Sequence, residues 1–427
     1  MNYPAYIEEP MDFPDFYRVS MHYPSTRIEC VEDHVRAELD RVLPQSGIGE
    51  KDRVAVAVGS RGISNIPVIV KTLCDRLKEK GALPHIIPAM GSHGGAHGPG
   101  QKAVLESLGV TEAFCGAPIV SSMDVEKIHD ILDGVPVYYS KDCISMDHAI
   151  CINRIKPHTK FKGPVESGIY KMLCIGMGKH SGALSLHQAA LSHGFNSVIR
   201  AAGDAVIQKS NVRFALALVE NQYDQLTDIR AISSANVFDE EKELLIKAKD
   251  QFPTLPFRQL DVLVIGEIGK NISGSGMDPN VTGRAFDLME DDFSKNLKVT
   301  RIALLDLCEK SAGNAIGMGN ADFITERLYG KLDYEKTLIN ALTSLSLRKA
   351  FIPIRLKNDR CAIQAAMKTT GIKNSEELKV VIIKNTREVS RFWASPALLG
   401  EINAMEHAEI VGKVKLDFTS SGDLILF

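Results

Sequence analysis

The chain has 427 residues, of which 44% are hydrophobic and 24% are charged, as in an ordinary globular protein. At roughly 150 residues per domain, this length predicts two or three domains, each large enough to bury its own core. Lysine and arginine together number 50 and aspartate and glutamate 53, with no long run of one sign, which argues against a nucleic-acid partner. No apolar stretch approaches the ~20 residues of a transmembrane helix, which argues against a membrane partner.

The amino-terminal segment and the cysteines predict a cytoplasmic protein. Residues 1–20 are acidic, interrupted by proline and without a basic leader, which is not the pattern of a secretory signal. The eight cysteines are spread singly, and no C-x-x-C motif occurs. This usage is typical of reduced thiols rather than of disulfides, a zinc ribbon or an iron–sulfur site.

The first predicted elements alternate strand, glycine-containing loop and helix. After an irregular arm over residues 1–25, the pattern indicates strands at 53–58 and 84–90 and helices at about 64–80 and 101–108. This order predicts a parallel sheet with helices on its faces. In such sheets the loops at the carboxyl ends of the strands form the ligand site. We therefore expect Arg61 and His93, which follow the two strands, to lie side by side.

Three histidines follow predicted strands or begin predicted helices: His93, His158 after a strand at 147–153, and His187 in a helix from Ala183. Taken singly, each is better explained as a surface or core side chain. Together with the lysines nearby, they predict a cationic pocket that suits a small carboxylate and proton transfer near neutral pH. These lysines are Lys156, Lys160, Lys162 and Lys171.

The fold class predicted for the whole chain is α/β, with two α/β domains, mostly parallel sheets and an active-site cleft between them. A boundary near the prolines at 253–256 divides the chain into an amino-terminal domain over residues 1–257 and a carboxyl-terminal domain over residues 258–427. The tail from Val414 is predicted to form a hairpin. The last strands are candidates to pack back on the amino-terminal domain.

Four short motifs between Arg61 and His187 stand in register with those of a known family. They are Gly59-Ser60-Arg61, Gly91-Ser92-His93, Pro157-His158, and Ser167-Gly168-Ile-Tyr-Lys171 followed by Gly176 and His187. On these residues the sequence resembles the nickel-pincer lactate racemase superfamily, which comprises nickel-dependent 2-hydroxyacid racemases and epimerases. The resemblance spans most of the chain and implies a distant branch of that superfamily.

The resemblance implies a cofactor and the residues that hold it. Lys171 would carry pyridinium-3,5-bisthiocarboxylic acid mononucleotide, the nickel pincer, through a thioamide, with Ser167 and Gly168 beside it. His187 would be the protein's nickel ligand, since imidazole and soft sulfur suit square-planar Ni(II). His180, seven residues earlier, is the rival ligand, but the adjacent Ser181 and Gly182 predict that it still lies in the loop.

The resemblance also implies the reaction, which is that of an isomerase. His93 and His158 would flank the substrate and exchange its hydroxyl proton, because a racemase handles protons on both faces of the reacting carbon. Arg61 would help to hold the substrate. The implied mechanism is a transient oxidation: hydride passes from Cα to the cofactor, and the ketoacid takes it back on the other face.

Departures from the family pattern predict a different substrate. The stretch between His158 and Lys171 is three residues longer than in lactate racemases, whose second-domain Tyr-Gln…Lys cluster is not evident. In its place, the polar run over residues 274–284 offers Asp278 and Arg284 as substrate-binding candidates, while the alternative is a solvated turn. We expect a larger or more polar 2-hydroxyacid than lactate, such as a sugar acid.

Two other functions remain open at this point. One is a zinc-type hydrolase with His93, His158 and His187 as ligands, and the other is a non-catalytic protein that binds an anionic small molecule. If the pincer interpretation holds, the partners would include the proteins that build the cofactor and insert nickel. A homo-oligomer is left open.

Overall fold

The computed structural model describes residues 3–23, 25–60, 62–286, 293 and 297–426. The chain forms two compact units. The first unit is Ser25–Phe252, and the second unit combines Met1–Pro24 with Pro253–Phe427. Residues 1–24, which the sequence assigns to the amino-terminal domain, therefore group with the carboxyl-terminal part of the chain. In the described ranges, no helix has both the length and the apolar character needed to cross a membrane.

The strands of both units are numbered in chain order. They are β1 (Phe16–Met21), β2 (Arg53–Val58), β3 (Leu83–Pro88), β4 (Val125–Ile131), β5 (Val135–Ser140), β6 (His148–Arg154), β7 (Val212–Glu220), β8 (Leu226–Ser233), β9 (Gln259–Ile268), β10 (Lys298–Leu307), β11 (Phe323–Thr325), β12 (Ile354–Leu356), β13 (Val380–Ile383), β14 (Arg391–Ala394) and β15 (Ala408–Val414).

The α-helices are numbered in the same way. They are α1 (Ala5–Glu8), α2 (Val31–Val42), α3 (Ile66–Glu79), α4 (Gly98–Ser107), α5 (Glu112–Cys115), α6 (Lys141–Ile144), α7 (Ile169–Lys171), α8 (Lys179–His193), α9 (Phe195–Lys209), α10 (Val237–Asp250), α11 (Pro279–Thr282), α12 (Glu326–Gly330), α13 (Tyr334–Thr343), α14 (Asp359–Lys368) and α15 (Leu399–Asn403). A π-helical turn, Met172–Gly176, follows α7 directly.

The first unit is built on a five-stranded sheet with the order β3-β2-β6-β7-β8. All neighbours are parallel except β7 and β8, which pair antiparallel. From β2 the chain continues to β3 on one side, whereas β6 lies on the other side of β2. The loops that follow β2 and β6 therefore separate at this point, which is the usual ligand position in an open parallel sheet.

The core of the first unit explains why its strands are apolar along their whole length. Residues 54–58 of β2 are completely buried, because a parallel sheet is covered on both faces. On α3 the buried side chains recur with helical spacing, as Ile69, Leu73 and Leu77 show. These residues pack in one hydrophobic cluster with the side chains of β2 and β6.

The second unit contains an eight-stranded sheet with the order β12-β11-β10-β9-β13-β14-β1-β15. The pairs among β9 to β13 are parallel, and β14, β1 and β15 continue the sheet from β13 in antiparallel pairs. From β9 the chain continues to β10 on one side, whereas β13 lies on the other side of β9. The predicted α/β class with mostly parallel sheets is thus confirmed in both units.

The amino-terminal arm was predicted to be irregular, and this prediction is wrong for β1. The strand lies between β14 and β15, with Phe16 and Val19 completely buried. A register shift against β15 between Arg18 and Val19 breaks the alternation of buried and exposed residues. The two-residue period that would reveal the strand in the sequence is therefore interrupted. The last strand, β15, pairs with β1 inside the second unit, and the tail beyond it adds a single bridge, Phe418 to Leu424.

Candidate functional site

The loops that follow β2, β3 and β6 meet the π-helical turn in the first unit. The Gly91 amide donates a hydrogen bond to the carbonyl of Gly176 at 3.2 Å. A Cβ on Gly59 would lie 2.9 Å from the Cε of Met172, so only glycine permits this approach without displacing that side chain. The Asn153 side chain at the end of β6 donates to the carbonyl of Gly168 at 2.7 Å. The carboxyl edge of the sheet is therefore packed against the segment that carries Lys171.

His158 and Lys171 are in direct contact. The Lys171 Nζ lies 2.8 Å from the Nε2 of His158. The other ring nitrogen, Nδ1, accepts the backbone N–H of Lys160 at 3.1 Å. Both ring nitrogens of His158 therefore have a hydrogen-bond partner, and the partner of Nε2 is the Lys171 amine.

His158 is fixed by Glu166, which lies eight residues further along the chain. The buried Glu166 carboxylate accepts the backbone N–H of His158 at 2.6 Å and that of Gly163 at 3.2 Å. It also pairs with the Lys249 ammonium on α10 at 2.7 Å. The stretch between His158 and Lys171 therefore contains the carboxylate that holds the backbone of the histidine in place.

His187 lies in the middle of α8, beside two aromatic side chains that also contact the His158 ring. Its ring meets Phe195 edge-on at 5.6 Å between ring centroids, and Phe195 stacks on Phe161 at 5.0 Å. Burial, together with the charges of Lys160 and Lys171, lowers the pKa of His187 to about 3. The ring is consequently neutral at pH 7, which is the form that binds a metal ion.

His93 lies on the loop that follows β3, against the loop that follows β2. Its Nδ1 is 2.5 Å from the Oγ of Ser60, which directly precedes Arg61. The two loops are thus adjacent, as the parallel order predicts. Arg61 itself lies outside the described residues.

Ser167 and Gly168 shape the turn before Lys171 through their backbone. Ser167 forms a two-bond bridge with Lys156, at 2.8 and 3.1 Å. A Cβ on Gly168 would lie 2.0 Å from the Oε1 of Glu241, so a larger residue cannot occupy this position without moving the carboxyl group. The backbone geometry therefore accounts for both residues at these positions, with or without a cofactor.

Glu241 is a site-supporting residue that sequence reasoning missed. Its carboxyl group on α10 is completely buried and accepts the backbone N–H of Tyr170 at 2.9 Å, one residue before Lys171. Desolvation raises its pKa to about 8. In the sequence it stands in an acidic helix, which is typical of a solvated face, so no local signal identifies it.

Asp278 lies in the second unit, where the loops after β9 and β13 separate. Its backbone N–H donates to the Thr386 Oγ1 at 3.0 Å, which links the two loops, and its carboxylate caps α11 through the Asn280 N–H at 3.0 Å. Ser275, Asp278 and Asn280 are at most 5% exposed. The alternative of a solvated turn is therefore wrong for this run.

Arg284 is bonded within the second unit. Its Nη1 donates to the Asp322 carboxylate at 2.6 Å, and its Nη2 donates to the carbonyls of Val299 and Thr300 at 2.9 and 3.0 Å. The guanidinium therefore braces the end of this loop against β10, and its contact with substrate stays a prediction.

The donor arrangement disagrees with a three-histidine zinc site. Among the described residues, which include His93, His158 and His187, no three His, Cys, Asp or Glu side chains are grouped to hold a metal ion. His180 was predicted to lie in a loop, but α8 begins at Lys179 and includes it. It lies two turns before His187 on one helix face. Its buried Nδ1 makes no hydrogen bond within the described ranges.

Comparison with known proteins gives a match at the level of the fold. No family model matches the sequence, and no curated protein matches it. Among solved structures, the chain is similar to the lactate racemase apoprotein from Thermoanaerobacterium thermosaccharolyticum, with a TM-score of 0.55 and 14% sequence identity. The match covers 88% of this chain and 99% of the racemase chain. Nearly the whole racemase fold is therefore present in this protein.

Proposed function

We propose that the protein is an isomerase that racemises or epimerises a 2-hydroxyacid with a nickel-pincer nucleotide held on Lys171. The observation that carries this proposal is the contact of the Lys171 amine with the His158 ring, beside the neutral ring of His187. The fold shared with a lactate racemase apoprotein supports a distant relationship to that family.

The residues present fit such a cofactor. A lysine forms a carbonyl-derived link as the uncharged amine, and the Lys171 amine lies at hydrogen-bond distance from the His158 ring. A neutral His187 is a suitable ligand for nickel. When bound, the cofactor supplies reversible uptake of hydride from the substrate. Ser167 and Gly168 are the proposed neighbours of the attachment point.

The other site residues bind the substrate and move its hydroxyl proton. His93 and His158 are the proposed acid and base, with His158 Nε2 and His93 Nδ1 held by defined partners. Arg61 is the proposed ligand of the substrate carboxylate, and the buried Lys160 is a positive charge beside His158. Asp278 and Arg284 stay predictions as substrate-binding residues.

The test is mass spectrometry and nickel analysis of protein purified from its native host. A heavy adduct that maps to Lys171, together with nickel, is the expected result. An unmodified Lys171 in a host shown to make the cofactor would overturn the proposal. The protein would depend on separate proteins that build the cofactor and insert nickel, so a host without them is not a valid test.

We propose a larger or more polar substrate than lactate, such as a sugar acid. The longer, separately braced stretch around His158 supports this choice. Loaded enzyme is expected to interconvert such hydroxyacids faster than lactate. Turnover of lactate alone across a panel of hydroxyacids would contradict it.

A further inference from the structure

A buried lysine joins the helix of His187 to the loop of His93. Lys179, the first residue of α8, is completely buried. Its Nζ donates to the carbonyl of Pro88 at 2.5 Å and to the Oε1 of Gln101 at 3.2 Å. Both acceptors belong to the segment on either side of His93.

Gln101 continues the connection to the loop itself. Its side chain on α4 is also completely buried, and its Nε2 donates to the carbonyls of Gly91 at 2.9 Å and His93 at 3.3 Å. The chain of bonds therefore runs from the Lys179 ammonium through one amide group to the backbone of His93. Both acceptors of the Gln101 amide nitrogen lie in this one segment.

Lys179 occupies this position against two costs. Burial of an ammonium group is unfavourable and lowers the pKa of this lysine. Its backbone φ of +54° is in the left-handed region, which is unfavourable for a residue other than glycine. Such costs persist where the surrounding structure requires the residue, and they concentrate at functional sites.

We propose that Lys179 and Gln101 are positioning residues that hold the loop over residues 89–93, and with it the imidazole of His93 against Ser60. The inference rests on the proposed function in one respect, which is that His93 acts on the substrate. One rigid element, α8, then fixes both the His187 ring and the backbone of His93.

Amide hydrogen exchange on the protein without cofactor tests the proposal. Lys179→Met, Gln101→Leu and Gln101→Glu are expected to speed exchange in residues 89–97 by about tenfold, the factor expected when hydrogen bonds of this kind are lost. Exchange in β2 is expected to stay unchanged, whereas general destabilisation would speed exchange in both. Lys349→Met, which removes a similarly buried lysine from the second unit, is the matched control.

A second readout follows the imidazole itself. Reaction of His93 with diethyl pyrocarbonate is mapped by peptide mass spectrometry across pH 6 to 8, with the exposed His22 as the internal standard. In the three variants the pH midpoint for His93 is expected to shift, because its contact with Ser60 is loosened. The midpoint for His22 is expected to stay constant.

Gln101→Glu decides the case if Lys179→Met fails to fold. A glutamate keeps an acceptor for the Lys179 ammonium but has no N–H group for the carbonyls of Gly91 and His93. Unchanged exchange and an unchanged His93 midpoint in folded Gln101→Glu would overturn the inference. Neither readout needs the cofactor, so an unmodified Lys171 would defeat the proposed function without affecting this result.

Discussion

Two histidines on one face of α8 have different surroundings, and this difference separates their roles. His187 meets Phe195 and feels the charges of Lys160 and Lys171. His180 lines a separate surface hollow with Tyr138 and other residues of β5 and α8. Only the first of the two therefore shares its surroundings with the amine proposed to carry the cofactor.

Alanine substitution of each histidine tests this assignment. His187→Ala is expected to keep the adduct on Lys171 and to lose nickel, because the covalent link does not need the imidazole. His180→Ala, the matched control two helical turns away, is expected to keep both. Nickel analysis and peptide mass spectrometry of protein from the native host measure the two quantities. Nickel lost from His180→Ala and retained in His187→Ala would reverse the assignment.

Glu241 makes the stability of the fold depend on pH. Its pKa rises from an ordinary value of 4.5 to about 8 in the folded state, so the folded protein holds a proton that the unfolded chain releases. Stability from this group is therefore lost as pH rises from 4.5 towards 8, by at most about 1.4 kcal/mol per pH unit.

Glu241→Gln removes this titration and keeps an acceptor for the Tyr170 N–H. Urea unfolding of both proteins between pH 5 and pH 8.5 is the measurement. The wild type is expected to lose stability relative to the variant as pH rises. Parallel curves for the two proteins would show that Glu241 is not protonated in the folded state.

At the scale of single elements, the loop from His158 to Glu166 depends on one carboxylate. Glu166→Ala leaves the His158 and Gly163 amides without their acceptor and removes the partner of Lys249. The expected loss is about 2–4 kcal/mol in the free energy of unfolding. Faster amide exchange is expected in residues 158–166.

Lys249→Met is the control for Glu166→Ala, because it removes the ion pair and keeps both amide bonds. It is expected to cost less than Glu166→Ala and to leave exchange in the loop nearly unchanged. An equal effect of the two substitutions on loop exchange would mean that the ion pair, and not the amide bonds, orders the loop.

The same elements show what a single sequence can and cannot predict. Strands β2, β6 and β9 are predicted because buried parallel strands are apolar throughout. The hairpin of β4 and β5 is missed, since its strands are half exposed, although Asp133-Gly134 is a typical turn signal. Chain position places Lys171, His158 and His187 near one sheet edge.

The residues that support the site, unlike these strands, cannot be recognised from the sequence alone. Glu166, Glu241 and Lys179 are recognised by partners that lie 3 to 91 positions away in the chain. No local pattern distinguishes them from solvated charges, because their burial is a property of the tertiary structure. Their roles therefore become visible only when the packing of α8 and α10 is known.

At the scale of the whole chain, the second unit is closed by residues from both ends of the sequence. Strand β1 pairs with β14 on one side and with β15 on the other. The segment before β1 is bonded to α14, whose Gln364 side chain donates to the carbonyls of Ile7 and Glu9. Without β1, two antiparallel strands lose their shared neighbour and the sheet ends at β14.

Deletion of residues 1–23 is therefore expected to unfold the second unit and to spare the first. The lost pairing and the burial of Phe16 and Val19 together exceed about 5 kcal/mol, a large share of the stability of a domain. Amide exchange in β9 is expected to become fast while exchange in β2 stays slow.

Two point variants serve as references for the effect of the deletion on stability. Phe16→Ala is expected to destabilise the second unit by about 3–5 kcal/mol, because it leaves a cavity in a completely buried position. Tyr6→Ala, at an exposed position on the same segment, is expected to have little effect. If the truncated chain kept slow exchange in β9, the amino-terminal strand would be an accessory to a sheet that folds without it. If β2 also became fast, the two units would unfold as one.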